Sequence, residues 1–358
     1  MSPGSRQSEG PMLSLRSPVR PSTVLSVSGA LAIVAFASGV ASLALGSVPV
    51  RLSSTLEILV RGLGIPFGGS ATPSDEIIIL QLRLPRVLLA ACVGAGLSVA
   101  GVVFQAMFRN ALAEPYILGI SSGGTLGAVV ALGAIPISGF GAVRLLGVPA
   151  AAFVGALVVM LAVYILGQKR GRIEPGRLLL TGVMVGAFFN ALILVIVVLM
   201  EKEYRSVLLW LMGNLSEATY GSVGVVGSVL ILVSFLIFIQ AHRYNILATG
   251  EEAALHLGVE TERLKRISYF LASGLTGIVV SSSGVIGFVG LVVPHICRRL
   301  FGPDHRLLIP SSFFFGAAFL ILADLLARLI FSPMELPVGV VTAFIGAPFF
   351  VAILKHRG

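Results

Sequence analysis

Few residues in the apolar stretches of this chain carry side chains that do chemistry, and their spacing excludes most reactions. Asp324 is the one acidic residue that lies well inside such a stretch, so a catalytic pair of carboxylates is excluded by count. The serine run at 281–283 has no histidine in a facing stretch except His295, and hydroxyl groups in a bent helix usually bond to nearby backbone carbonyls. No HExxH zinc motif occurs. These residues do not favour an enzyme.

Nucleotide hydrolysis and redox chemistry are not favoured either. The phosphate-binding sequence GxxxxGK[ST] is missing, because none of the four lysines follows a glycine: Lys169, Lys202, Lys265 and Lys355. Any ATPase that drives this protein must therefore be a separate polypeptide. Cys92 and Cys297 lie far apart in apolar stretches, which is typical of small core residues rather than of a disulfide or a metal pair. We expect no cofactor and no metal site.

The composition places the chain among multi-pass membrane proteins. Of its 358 residues 56% are hydrophobic and only 11% are charged. Runs of about 20 apolar residues, the length that crosses a bilayer, predict ten spans, which lie at 24–46, 84–107, 112–134, 147–167, 178–200, 222–241, 267–283, 285–300, 307–330 and 336–354. We therefore expect an all-α polytopic fold in a single transmembrane domain, 24–358, after a disordered tail, 1–23.

The basic residues predict the orientation. Roughly two thirds of the lysines and arginines fall in the tail and in alternate loops, which places both termini in the cytoplasm by the positive-inside rule. The net charge of +9 is thus explained by topology, and no nucleic-acid binding is expected. The first apolar stretch is too long for the core of a cleaved signal peptide, so we expect it to be retained as a span.

The stretch 284–306 predicts the wall of a transport path. It is apolar but interrupted by Gly284, Gly287, Gly290 and Pro294, and it ends in a cationic cluster. Because lipid cannot replace the backbone hydrogen bonds that such residues weaken, they must face protein or a water-filled path. We expect a short re-entry at Gly284 and then a helix that descends to the cytoplasmic side.

The loop 242–266 is the longest cytoplasmic connection and contains an amphipathic stretch. Small apolar residues such as Ala254 and Leu257 alternate there with glutamates. We expect a short helix, a turn at Gly258 and a second short helix, which together would present a docking element to a cytoplasmic partner. The alternative is a solvated connector that lies on the membrane surface.

Several motifs, in the same order along the chain, resemble one family. The loop sequence GEEAALHLGV is similar to the coupling segment of FecCD-type permeases, the transmembrane subunits of bacterial importers for ferric siderophores, haem and cobalamin. The further motifs that agree, from the first span to the C-terminus, are QLRLPRVLLA, GVVFQAMFRNALAEPYILGISSG, FVGLVVPHICR, GPDHRLLIPSS, LADLLAR and ELPVGVVTAFIGAPFF.

The resemblance implies the architecture and the partners. It implies a ten-helix permease of the type II ABC importer class in the inner membrane of a bacterium. A second permease copy, identical or paralogous, would complete the path. Cytoplasmic ATP-binding subunits would hydrolyse ATP, and an extracytoplasmic substrate-binding protein would deliver the substrate. The permease itself is then not an enzyme.

The resemblance also implies site residues. Arginines in the LRLPR and ADxxAR motifs would meet glutamates of the binding protein, and these correspond to Arg83, Arg86 and Arg328. The alternative for each arginine is a snorkelling anchor at the membrane interface. Contact with the ATPase falls on the loop motif, at Gly250, Glu251, Glu252, Ala254, Leu257 and Gly258.

The inner gate of the family corresponds to two places in this chain. One is Asn110 and Leu112, with Ala111 between them where relatives commonly have proline. The other is Pro175 and Gly176, preceded by Glu174, where the cobalamin permease has small hydroxylated residues. This departure weakens the gate assignment and the cobalamin interpretation.

The function implied is import of an iron chelate, with a ferric siderophore as the first expectation. Haem and cobalamin remain alternatives within the family. An ion-coupled carrier that acts without an ATPase is the alternative of another class, although ionisable groups at membrane depth are scarce.

Overall fold

A computed structural model describes residues 20–355 except for 47, 63, 66–67, 70, 135–140 and 201–203. Most of the predicted tail, 1–23, therefore lies outside the described residues. Its last three residues already belong to the first helix, which begins at Pro21 because proline suits the first helical position. The division into a tail and one permease domain stays a prediction.

The described chain is almost entirely helical. Its α-helices are, in order, α1 Pro21–Ala44, α2 Leu52–Gly62, α3 Pro73–Glu76, α4 Leu84–Phe108, α5 Ile120–Ala134, α6 Gly141–Gly167, α7 Pro175–Leu199, α8 Tyr204–Leu211, α9 Tyr220–Ile239, α10 Ala241–Leu247, α11 Glu251–His256, α12 Thr261–Ser283, α13 Val289–Phe301, α14 His305–Leu329 and α15 Val338–Lys355. A π-helical segment, Ile77–Arg83, joins α3 to α4, and a 3₁₀ turn, Pro115–Leu118, precedes α5.

A small hairpin connects α6 and α7. Strands β1 (Gln168–Lys169) and β2 (Arg172–Ile173) pair antiparallel, with Gln168 opposite Ile173 and Lys169 opposite Arg172. The two turn residues, Arg170 and Gly171, have φ values of 52° and 76°. Positive φ at both positions is the geometry of a type I′ turn, whose twist matches that of the paired strands.

The all-α fold class is confirmed, and each of the ten predicted spans coincides with a helix. Among the described residues, six helices are long and apolar enough to cross a membrane, and α5 and α15 are shorter apolar helices. The polar loop between the first two spans contains α2 and α3, which the apolar pattern did not predict. The third span begins only at Ile120, because the 3₁₀ turn at Pro115 occupies its expected first turns.

The centre of the molecule is α4, which is buried along nearly its whole length. Helix α14 packs antiparallel to it, since Arg86 bonds to Asp324 while Gly94 lies against Gly316. A Cβ atom at Gly94 would overlap the Gly316 carbonyl oxygen, so these glycines bring the two backbones into contact. This antiparallel pair defines the two ends of the bundle.

We call the end near Arg86, at the start of α4, the arginine end. The opposite end contains the end of α4, the hairpin, α10, α11 and the first turns of α12 and α14, and we call it the coupling end. This assignment of ends follows from the contacts alone. Which end faces the cytoplasm stays a prediction.

The glycine-rich stretch is broken as expected, although the break is longer. Helix α12 ends at Ser283 and α13 begins only at Val289, so five residues separate them. Gly284 has a φ of 69°, and a Cβ there would overlap the Trp210 carbonyl oxygen. Gly290 packs against Pro115, and Pro294 is buried, whereas the Cβ direction of Gly287 is open. Only Gly287 is therefore free to border an open path.

Candidate functional site

The three predicted docking arginines come together at the arginine end, but two of them are buried. Arg83 is 8% exposed and donates to the backbone oxygens of Leu43, Ala44 and Val48 at the end of α1. Arg328 is 4% exposed and donates to the Ser42 carbonyl oxygen at 3.0 Å. These two side chains hold α1 against α4 and α14. Neither presents its guanidinium to a docking partner in this structure.

Arg86 differs from the other two because it reaches the surface through an acidic neighbour. Its Nη2 lies 2.9 Å from Asp324 Oδ1, and its Nη1 lies 2.6 Å from Glu335 Oε2. Asp324 also pairs with Arg328, whose Nε lies 3.2 Å from Oδ2. Glu335 is 40% exposed. We call these five residues, Arg83, Arg86, Asp324, Arg328 and Glu335, the arginine cluster; its docking role stays a prediction.

The coupling loop, 242–266, contains the expected short helix but not the second one. Helix α11 spans Glu251–His256, and Gly258 makes the predicted turn with a φ of 81°. The helix after that turn is the start of the long α12, so the loop ends at residue 260 rather than 266. The physical reason is that Thr261, Leu264 and Lys265 are already buried on one side of these turns, so residues 261–266 form the start of the long helix.

The predicted contact residues of this loop divide into two groups. Gly250, with a φ of 125°, and the buried Ala254 shape α11 and pack it against its own chain. The spacing of Ala254 had suggested an exposed apolar side chain. The residue is instead buried and packs the segment against its own chain. Glu252 and Leu257 are exposed, Leu257 by 64%, and so is Leu255, which was not predicted, by 57%. These three side chains are part of the exposed surface of the segment.

Glu251 forms an ion pair with the buried Lys265. Lys265 is only 1% exposed, and its Nζ lies 3.2 Å from Glu251 Oε2 and 2.5 Å from Glu262 Oε1. It also donates to the Ile173 carbonyl oxygen at 2.9 Å, which joins it to β2 of the hairpin. An open cleft of about 1300 Å³ lies between the hairpin and α11–α12. Basic side chains, among them Arg172 and Arg266, and acidic ones, among them Glu260, line it.

The predicted gate residues lie at the starts and ends of helices near the coupling end. Asn110 follows Arg109, which ends α4 in the left-handed region with a φ of 47°. The Asn110 side chain accepts the Leu112 N–H at 3.0 Å, so the two residues form one turn. Pro175 and Gly176 begin α7, and a Cβ at Gly176 would meet open space. The gate assignment stays a prediction.

A second tie connects α10 to the start of α14. Asn245 donates to Asp304 Oδ1 at 2.8 Å and accepts the His305 N–H at 2.8 Å. Asp304 caps α14 by accepting the Arg306 N–H at 2.9 Å. Partial burial opposes ionisation of Asp304, but the hydrogen bonds from Arg306 and Asn245 outweigh it and lower its pKa to about 2. This carboxylate is charged at neutral pH.

Sequence reasoning missed Lys265, Asn245 and Glu114. Lys265 had one local signal, since Glu262 precedes it by three residues and pairs of that spacing meet on a helix. Asn245 has no such signal because its partners lie 59 and 60 residues away. Glu114 is 9% exposed and accepts a hydrogen bond from the Phe288 backbone, again a contact that the sequence does not show.

The comparisons with known proteins agree with this architecture. The model of the FecCD transport family matches residues 31–356. The cobalamin import system permease protein BtuC of Halobacterium salinarum is 43% identical over 282 residues, which cover 79% of this chain and 74% of that protein. The iron(3+)-hydroxamate import system permease protein FhuG of Bacillus subtilis is 37% identical over 342 residues, covering 94% and 97%.

A solved structure is similar as well. A metal-chelate type ABC transporter in an inward-facing conformation superimposes with a TM-score of 0.79 at 29% identity, over 93% of this chain and 99% of that one. Helical fold, apolar spans and relatives together define a multi-pass membrane permease of the ABC importer class. The chain belongs to the FecCD transport family, as its motifs predicted.

Proposed function

We propose that this chain is the transmembrane subunit of an ATP-driven importer for an iron chelate, with a ferric siderophore as the first candidate. The observation that carries the proposal is the similarity to the hydroxamate permease FhuG, which extends over almost the full length of both chains. The metal-chelate transporter that shares the fold supports the same substrate class. ATP would be hydrolysed by a separate subunit, since no lysine of the chain follows a glycine.

The contacts of Asp324 support the ATP-driven proposal over the ion-coupled alternative. A proton or sodium carrier needs ionisable groups that gain and lose an ion along the path. Asp324, the one acidic residue deep in a span, is instead 1% exposed and paired with both Arg86 and Arg328. Its charge is used to hold helices together.

Each end of the bundle has a proposed partner. At the coupling end, the exposed Glu252, Leu255 and Leu257 offer an ATP-binding subunit a surface with both apolar and charged groups. At the arginine end, Arg86 is the direct contact for a substrate-binding protein, because a glutamate of that protein can replace the exposed Glu335. Arg83 and Arg328 then act behind it, by fixing α1 against α4 and α14.

The remaining parts of the proposal follow from the family. A second permease copy would complete the path, and the membrane would be the inner membrane of a bacterium, with both termini in the cytoplasm. Pro175, Gly176, Asn110 and Leu112 would close the path at the coupling end.

Cobalamin is the second candidate substrate, favoured by the 43% identity to BtuC of Halobacterium salinarum. Haem is a third within the same class. The test is to purify the substrate-binding protein that works with this permease and to measure its affinity for a ferric hydroxamate, haemin and cyanocobalamin by fluorescence quenching. Tight binding of the ferric hydroxamate alone supports the first candidate, and tight binding of only haemin or cyanocobalamin contradicts it.

A further inference from the structure

A buried ammonium group joins three structural elements at the coupling end. Lys265 lies in the first turns of α12, and lysine is almost never fully buried unless it is paired. Its two carboxylate partners come from different elements, Glu262 from α12 itself and Glu251 from the first position of α11. Its third partner is the Ile173 carbonyl oxygen of the hairpin.

Two side chains of α12 bind the backbone of Ile173 in the hairpin. While Lys265 bonds to the carbonyl oxygen of Ile173, Glu262 Oε2 accepts the N–H of that residue at 2.9 Å. Both backbone groups of one strand residue are therefore bonded to side chains of α12. Ile173 is itself 3% exposed, so its apolar side chain fixes the strand as well. The hairpin cannot shift against α12 without breaking these contacts.

The hairpin leads directly into α7. Ile173 is followed by Glu174, whose carbonyl oxygen accepts the Leu178 N–H in the first turn of α7. Pro175, at the first helical position, restricts the backbone at this junction. Displacement of Ile173 would therefore displace the start of α7, where Pro175 and Gly176 lie.

The connection to α11 is electrostatic. If α11 moved away alone, Lys265 would keep Glu262 but lose its second carboxylate, Glu251, which is unfavourable for a buried ammonium group. Movement of α11 and the hairpin together with the first turns of α12 keeps all three partners. The lower-energy motion is thus the one in which these three elements move together.

We propose that Lys265 is a positioning residue that ties α11 to the hairpin and to the first turn of α7, so that displacement of the ATPase-docking helix reaches the predicted gate at Pro175 and Gly176. The proposal rests on the proposed function of the coupling loop. It adds a route and the residues that form it: Glu251, Lys265, Glu262 and Ile173. The tie through Asn245 is separate, because it leads from α10 to α14.

The functional test compares four variants in the complete complex of permease, ATP-binding subunit and binding protein in proteoliposomes. Lys265→Met and Glu262→Gln remove parts of the tie, Lys265→Arg keeps the charge, and Arg263→Met is the control. Arg263 is a neighbour on the same helix whose side chain is 73% exposed. The measured quantity is chelate transported per ATP hydrolysed, together with the amount of ATP-binding subunit that copurifies.

We expect Lys265→Met to lower transport per ATP by about fivefold or more, in the range of typical coupling effects, while the ATP-binding subunit copurifies as in the wild type. Glu262→Gln should lower it in the same direction, Lys265→Arg should restore most of it, and Arg263→Met should match the wild type. Unchanged transport per ATP in Lys265→Met would overturn the proposal. Loss of the ATP-binding subunit from that variant would also overturn it, since Lys265 would then act in docking.

A second measurement needs neither ATPase nor chelate. Amide hydrogen exchange of the purified permease should rise at 168–173 in Lys265→Met and in Glu262→Gln, and not in Arg263→Met. Glu262→Gln also covers the case in which Lys265→Met does not fold, because it leaves Lys265 paired with Glu251. Unchanged exchange in the hairpin would overturn the tie by itself. A wild-type complex that transports no chelate would instead contradict the proposed function.

Discussion

Arg86 and Asp324 form an ion pair across 238 residues of sequence, with Arg86 Nε 3.0 Å and Nη2 2.9 Å from Asp324 Oδ1. The pair joins the start of α4 to the end of α14. Further along the same two helices, Gly94 and Gly316 bring the backbones into contact. Arg328 adds a second guanidinium to the same carboxylate. One buried carboxylate therefore bridges two guanidinium groups at the arginine end.

Replacing Asp324 by asparagine should destabilise the protein strongly. The variant keeps the shape of the side chain but leaves Arg86 and Arg328 near each other without their shared counter-charge. Removal of one partner of a buried ion pair costs about 3–5 kcal/mol. We expect a clear fall in the melting temperature of the purified protein in detergent.

The control for this variant is Glu335→Gln, which removes the exposed partner of Arg86. Pairs with an exposed member contribute about 1 kcal/mol or less, so the melting temperature should change little. Equal melting temperatures for Asp324→Asn and the wild type would show that the buried carboxylate does not stabilise the bundle.

Gly101→Ala should disturb the contact between α4 and α13. A Cβ at Gly101 would overlap the Gly290 carbonyl oxygen, so the helices must separate. Such overpacking typically costs about 1–3 kcal/mol, and thermal unfolding measures it. Gly274→Ala is the matched control, because a Cβ there meets nothing within 4 Å. A glycine-to-alanine change in an unobstructed helix should leave stability equal or slightly higher, and a drop as large as that of Gly101→Ala would refute the close-approach argument.

The sequence predicted the helices better than their ends. Apolar runs indicated all ten spans, because burial in lipid requires long continuous apolar stretches whatever the packing. The late start of α5 and the early start of α12 were missed. The 3₁₀ turn at Pro115 and the buried start of α12 at Thr261 are set by contacts with other parts of the chain, which hydropathy does not report.

Roles at the site were harder to predict than positions. Motifs indicated that Arg83, Arg86 and Arg328 belong to one end of the molecule, and the structure brings them together. Their burial depends on partners at Leu43, Ser42 and Asp324, which lie up to 286 residues away. Spacing cannot show such partners. Ala254 illustrates the same limit, since an amphipathic pattern does not tell which apolar face packs inward.

Acid should weaken the cap of α14. The folded-state pKa of Asp304 is about 2, below its ordinary value of 3.8, so the carboxylate stabilises the fold above about pH 4 and loses this effect as the pH falls towards 2. Asp304→Asn keeps a capping side chain but removes the charge. The melting temperature of the variant should lie below that of the wild type at pH 6, and the difference should close by about pH 2. A difference independent of pH would mean that the charge is not involved.

Contact with the ATP-binding subunit should depend on the exposed side chains of the coupling loop. Leu257→Asp replaces an apolar side chain that is 64% exposed with a charged one. The fold should therefore persist while the docking surface is lost. We expect the amount of ATP-binding subunit that copurifies with the permease to fall by about fivefold or more, as for an interface residue that contributes about 1 kcal/mol or more. Arg263→Met, which changes a 73% exposed side chain at the same end, is the control. Wild-type copurification of the Leu257→Asp variant would contradict the docking surface.

The central claim is that this chain imports its substrate only with an ATPase partner, and it is tested most directly by uptake into proteoliposomes. The permease is reconstituted with and without the ATP-binding subunit, ATP is enclosed, and a radiolabelled ferric hydroxamate is supplied outside with the binding protein. We predict uptake that requires ATP, the ATP-binding subunit and the binding protein together. Uptake by the permease alone, driven by a proton or sodium gradient, would contradict the account.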